Sequence, residues 1–122
     1  MPTHLFVYGT LMTGESRHRY LAAATLIGAA RTTPEYRLFD AGDYPALVAD
    51  PVGQSIAGEL WLVGDDTLRE LDEVEGTDEG LYARVPVHLQ PPFDKRAAET
   101  YIYLQSVAGL PEINGDWRER RR

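Results

Sequence analysis

Cysteine is absent from this chain of 122 residues, which excludes disulfides, thiolate metal sites and cysteine nucleophiles. Lysine is nearly absent too: of twelve bases only Lys95 is lysine, and the rest are arginine. No apolar run approaches the roughly 20 residues that a membrane-spanning helix needs. The N-terminus, Met1-Pro2-Thr3-His4, lacks the basic and apolar regions of a secretory signal. The histidines His4, His18 and His88 have no short ligand spacing, and no G-x-S-x-G elbow, P-loop or dinucleotide-binding glycine pattern is present. These absences predict no metal, no cofactor, no membrane contact and a cytoplasmic location.

What is present is ordinary globular material. Hydrophobic residues make up 43% of the chain and charged residues 25%, outside the range of disordered sequences. Nineteen acids against twelve bases give a net charge of -7, which argues against general nucleic-acid binding. At 13.6 kDa the chain reads as one domain over residues 1–122, with the Arg-rich stretch 113–122 as a mobile C-terminal tail. Nothing in the composition fixes an oligomeric state.

Short strand signals outnumber helical ones. Leu5-Phe6-Val7-Tyr8 is an apolar run that stops at Gly9, as a buried strand feeding a turn would. Further strands are predicted over Tyr36–Phe39, Ala46–Ala49, Ser55–Val63, Arg84–Leu89 and Thr100–Leu104. A helix is predicted over Arg17–Ala24, and another over Asp65–Glu75, capped by Asp65 or Asp66 and closed by Gly76. The pattern is α+β, around a mixed sheet or a small closed barrel.

The second helix carries the most chemical information. At 100° per residue, Leu71 and Glu75 lie about 60° and 20° from Leu68, on one face. The apolar face therefore also presents the Glu75 carboxylate, whereas Glu70 and Glu73 point to water and Asp72 sits at the stripe's edge. Glu75 is in the last helical turn, where the helix dipole disfavours negative charge. Both effects raise its pKa toward the range of a general acid or base. Tyr8-Gly9-Thr10-Leu11 forms a turn that can expose consecutive backbone N–H groups to an anion or an oxyanion. Glu59, on the Trp61 face of its strand, reads as a structural carboxylate paired with an arginine such as Arg84, or as a second catalytic acid. Tyr82 stands beside a strand and can line a polar pocket.

Taken in order, Val7-Tyr8-Gly9-Thr10-Leu11 with Gly14 and His18, then Tyr44-Pro45-Ala46, Gly58-Glu59-Leu60-Trp61, Leu71-Asp72-Glu73-Val74-Glu75 and Leu81-Tyr82-Ala83-Arg84 resemble the gamma-glutamylamine cyclotransferase family, within the gamma-glutamyl cyclotransferase-like superfamily. The likeness runs from about residue 4 to residue 105. One departure is Arg17, where the family commonly has Asn before the histidine. The resemblance implies a mixed β-barrel flanked by short helices, with a cavity at the end of the first strand. It implies Glu75 as the catalytic carboxylate, and Tyr8, Gly9, Thr10, Leu11 and Tyr82 as substrate-binding residues. The implied reaction is intramolecular: the α-amino group of a small gamma-glutamyl compound attacks its own γ-carbonyl, releasing 5-oxoproline and an amine. Two other readings use the same residues. One is a non-catalytic module that binds an amino-acid-like metabolite. The other is a hydrolase in which Glu75 activates water.

Overall fold

The computed structural model describes residues 2–120. In chain order its strands are β1 (Thr3–Val7), β2 (Thr25–Arg31), β3 (Tyr36–Asp40), β4 (Pro45–Ala49), β5 (Ala57–Val63), β6 (Tyr82–Val87), β7 (Ala98–Tyr103) and β8 (Glu112–Ile113). One α-helix, α1 (Asp65–Val74), follows β5. Five strands form a sheet in the order β2-β5-β1-β7-β6, and β4-β3-β8 form a second. The pairing of β1 with β7 is parallel and the others are antiparallel. The fold is thus α+β around a mixed sheet.

Strand β1 lies at the centre because neither of its faces is polar at the end that matters. Leu5, Phe6 and Val7 are all buried, which requires cover on both sides of the sheet. The barrel anticipated from the sequence does not close among the described residues. The edges β2 and β6 meet just past their ends, at the single bridge between Thr32 and Leu89. Pro34 follows one side of that bridge and Pro91-Pro92 the other. Proline has no N–H to extend a ladder, so the seam stops there.

Helix α1 starts after Gly64, whose extended backbone takes the N-cap place that Asp65 or Asp66 was expected to fill. Both aspartates lie instead inside the first turn, where their charge meets the positive end of the helix. The helix closes as anticipated at Gly76, whose φ of 69° is the left-handed value that favours glycine. The expected helix at Arg17–Ala24 shrinks to one 3₁₀ turn, His18–Leu21, built from i to i+3 bonds such as Tyr20 N–H to Arg17 O at 3.1 Å. Only Leu21 in it is buried, so little packing energy supports a longer helix.

The C-terminal segment is not the mobile tail expected, at least through Arg120. Ile113 pairs with Leu38 in the second sheet, and Trp117 is 1% exposed. Burying an indole and an isoleucine stabilises the docked segment by several kcal/mol, of order 1.5–3 for each large side chain. Arg121 and Arg122 lie outside the described residues. No helix among the described residues is long and apolar enough to cross a membrane.

Candidate active site

Where β1 ends, the chain turns away from the sheet over Tyr8–Leu11. Gly9 is required here: a Cβ would lie 2.2 Å from Cγ of Pro45. Three of the turn's carbonyls are engaged. Gly9 O accepts from Met12 N–H at 3.0 Å and Thr10 O from Arg17 N–H at 2.8 Å. Leu11 O accepts from Nδ1 of His18 at 3.0 Å. A carbonyl can only accept, so that ring nitrogen carries the proton. The N–H groups of Gly9, Thr10 and Leu11, by contrast, donate to no protein group among the described residues. Three fixed carbonyls and three unengaged amides make a preorganised donor site.

Glu75 faces this turn. With Val7, Tyr8, Gly9, Thr10, Leu11 and Pro45 it lines one small cleft, with a volume of about 10 Å³. The helix phase inferred from sequence places it there: Leu68 and Leu71 are buried on the same face, and the Glu75 side chain is 14% exposed. Its carboxylate accepts no hydrogen bond among the described residues. The nearest cation is Arg17, with Nη1 at 4.0 Å from Oε2. Burial pushes the Glu75 carboxyl up to about 7, and the Arg17 charge opposes that rise only in part. A carboxyl that titrates there can both take and give a proton near neutrality.

Two tyrosines back the cleft. Tyr8 is buried and donates its hydroxyl to Tyr101 O at 2.6 Å; burial, then the neighbouring Tyr82 and Glu75, hold it protonated. Tyr82 was expected to offer its hydroxyl to a ligand. Its hydroxyl instead donates to the carbonyl of Pro45, the residue packed against Gly9. Tyr82 therefore supports the turn from behind, within an aromatic group formed with Tyr44 and Tyr103.

Glu59 is the second buried carboxylate, and its partner is not Arg84. It accepts from Thr13 N–H at 2.9 Å, Trp61 Nε1 at 3.1 Å and Arg118 Nη2 at 3.1 Å. Burial opposes its ionisation, but these donors outweigh it and hold the carboxyl below the usual glutamate range. Arg84 is committed elsewhere, to Asp72 at 2.9 Å and to Glu99. It reaches Glu99 from β6, which pairs with β7, and its cross-strand neighbour Tyr101 also donates to Asp72. His18, part of the family pattern but given no role by its spacing, packs its ring 5.4 Å from Trp61 and fixes the turn. Its separation of seven residues from Leu11 gives no periodic signal.

A cleft of about 530 Å³ is bounded in part by His4, His88, Arg96 and Glu99, but its Arg96 and His4 hydrogen-bond each other at 3.0 Å on the surface. Among the described residues no group of three or more His, Cys, Asp or Glu side chains is placed to hold a metal ion.

Comparison with known proteins identifies relatives of this chain. The family model described as "Gamma-glutamyl cyclotransferase, AIG2-like" matches residues 5–119. A protein of Vibrio cholerae, provisionally named a gamma-glutamylcyclotransferase, is 42% identical, with 95% of this chain and 96% of that protein covered. The gamma-L-glutamyl-butirosin B gamma-glutamyl cyclotransferase of Niallia circulans is 32% identical, covering 97% and 77%. The crystal structure of an AIG2-like protein from Mus musculus superposes with a TM-score of 0.76 at 26% identity, covering 93% and 87%.

Proposed function

The chain belongs to the gamma-glutamyl cyclotransferase, AIG2-like family, and from that premise we propose that it releases 5-oxoproline from small gamma-glutamyl amines or peptides, with Glu75 as the general acid and base. The observation that carries the mechanism is the Glu75 carboxylate, largely buried and without a hydrogen bond among the described residues, in one cleft with the amides of Gly9, Thr10 and Leu11, which are unengaged among the same residues. A structural carboxylate out of water would be paired, as Glu59 is.

The chemistry needs no covalent enzyme intermediate. The substrate's α-ammonium gives a proton to Glu75. The freed amine attacks the γ-carbonyl, forming a C–N bond and closing a five-membered ring. The carbonyl oxygen becomes an oxyanion, which the amide N–H groups stabilise. Glu75-H then protonates the leaving nitrogen. As the old γ-C–N bond breaks, Glu75, again a carboxylate, takes the second proton from the ring nitrogen and passes it to the departing amine, so that neutral-lactam 5-oxoproline and a protonated amine leave and Glu75 returns to its starting state. Bending the substrate into this ring-closing shape is an orientation effect, which a turn pinned by His18, Pro45 and Tyr82 can supply.

The test is to incubate the protein with gamma-glutamyl amines and gamma-glutamyl dipeptides and follow products by mass spectrometry. Formation of 5-oxoproline is expected. Release of glutamate in its place would assign a hydrolase. Saturable ligand binding with no product would assign a binding module.

A further inference from the structure

Arg17 is held by its backbone and left open at its head. Its N–H donates to Thr10 O at 2.8 Å and its carbonyl accepts from Tyr20 N–H at 3.1 Å. The residue is thereby fixed to the same turn that supplies the amides of the cleft. Its guanidinium, 4.0 Å from Glu75, makes no hydrogen bond among the described residues. The side chain is 36% exposed, so it stands between the buried carboxylate and the solvent. Nearby arginines are engaged otherwise. Arg19 donates to Ser16 O at 2.9 Å, Arg118 to Thr13 O and Glu59 at 3.1 Å each, and Arg120 pairs with Glu15 at 3.6 Å.

A guanidinium offers five N–H donors in a planar fork that matches a carboxylate. At 4.0 Å from a carboxylate that accepts none of them, the fork is poised for a second anion. The proposed reaction supplies one. In a gamma-glutamyl group the α-carboxylate is attached to the carbon that bears the attacking amine, so its oxygens lie about 3 Å from that nitrogen by ordinary bond lengths. When Glu75 holds the amine, the α-carboxylate falls beside Glu75 and within reach of Arg17. Without a cation there, two carboxylates would repel each other at short range.

We infer that Arg17 is the receptor for the substrate's free α-carboxylate, leaving the amides of Gly9, Thr10 and Leu11 to the oxyanion. The inference rests on the cyclotransfer reading and narrows its substrate class. Accepted compounds carry gamma-linked glutamate with both the α-amine and the α-carboxylate free. Compounds whose α-carboxyl is an amide or lies within a peptide bond are rejected.

A matched substrate pair tests this: a gamma-glutamyl amine and its α-carboxamide counterpart, each with wild type, Arg17→Gln and Arg17→Lys. Wild type is expected to favour the acid by about 30- to 100-fold in kcat/KM, the scale of a charge-assisted hydrogen-bonded pair. In Arg17→Gln that ratio falls to within about threefold of one, mainly through a higher KM for the acid, and Arg17→Lys restores part of it. A wild type that treats both compounds alike overturns the inference. So does an Arg17→Gln variant that slows both equally while moving the acid limb of its pH profile upward, since Arg17 would then act only on Glu75. If wild type converts neither compound, cyclotransfer itself fails, and binding decides the role of Arg17. Titration with 5-oxoproline and 2-pyrrolidinone, followed by NMR, should then show at least a tenfold preference for the acid that Arg17→Gln abolishes. Equal binding of the two by wild type would overturn it.

Discussion

Glu59 and Glu75 are two carboxylates drawn out of water and treated in opposite ways. Glu59 sits on β5, where an amide, an indole and a guanidinium converge on it. Glu75 sits at the end of α1 and, among the described residues, has only a cation at 4.0 Å. The burial penalty applies to both, and the difference lies in compensation. At Glu59 donors reverse the penalty, and the carboxyl is held ionised. At Glu75 the penalty stands, and the carboxyl is pushed up to about 7. The satisfied group fastens structure together, and the unsatisfied group is available to a substrate. The fastening has a direction as well: Glu59 grips Thr13, just past the site turn, and Arg118 of the C-terminal segment, so it braces the cleft that Glu75 lines.

The sharpest way to break this contrast is to remove each charge in turn. Glu75→Gln is expected to keep the fold and lower kcat by about 100-fold or more, the scale of general acid–base catalysis. Steady-state kinetics on the folded variant checks it, and unchanged turnover would remove Glu75 from the mechanism. Glu59→Gln should do the reverse. It places an amide N–H₂ among donors and removes the charge that Arg118 pairs with, costing roughly 1–3 kcal/mol of stability. Urea unfolding should show that loss, while kcat of the folded fraction stays within a few-fold of wild type. If Glu59→Gln abolishes turnover without destabilising the protein, the division of labour is wrong.

Why one carboxylate could be read from sequence and the other only half-read follows from the same contrast. Glu75 lies on the face of a helix, and the 100° step from Leu68 through Leu71 is local arithmetic. Placing Glu59 beside Trp61 is local too. Its partner is not: Arg118 is 59 residues away, in a segment that the basic run at 118–122 disguised as a solvated tail. Only packing of Trp117 brings that arginine back. Strand β2 escaped detection for a related reason. Thr25–Arg31 is an edge with a register shift near Gly28 and little buried side-chain area, so neither alternation nor an apolar run marks it. The turn at Tyr8–Leu11 was visible because glycine ends an apolar run. The anchors of its carbonyls, Arg17 and His18, were not assigned that work, since nothing periodic links them to it.

The elevated carboxyl makes the comparison sensitive to pH. With Glu75 as the base, kcat/KM should fall about tenfold per pH unit below about 7. Stability should move the other way. Folding raises this carboxyl's pKa above its unfolded value of about 4.3, so its contribution is fully present below about pH 4 and is lost as pH rises through about 7. Glu75→Gln cannot ionise. Its stability relative to wild type should therefore improve by about 2–3 kcal/mol between pH 4 and pH 8, read from urea midpoints at each pH. A flat difference would mean that Glu75 is solvated. Arg118→Ala should cost less, about 1 kcal/mol, because its side chain is 40% exposed and screening weakens the pair. A rise of a few-fold in KM, from the loosened grip on Thr13, is expected with it.

The smallest effect belongs to the carboxylate two residues from the proposed base. Glu73 shares a helix, a charge and a chemical identity with Glu75, and differs in facing water. Glu73→Gln should change kcat by less than twofold and stability by less than about 0.5 kcal/mol, the range of surface substitutions. Its removal also takes one negative charge from the C-terminal half of α1, where the helix dipole disfavours it, so the small stability change should be a gain. The same kinetic and urea measurements check both numbers. A large loss of rate would mean that the carboxylate in the cleft is chosen by something other than helix phase. A silent Glu73→Gln beside a dead Glu75→Gln isolates burial without compensation as what separates the working acid from its neighbour.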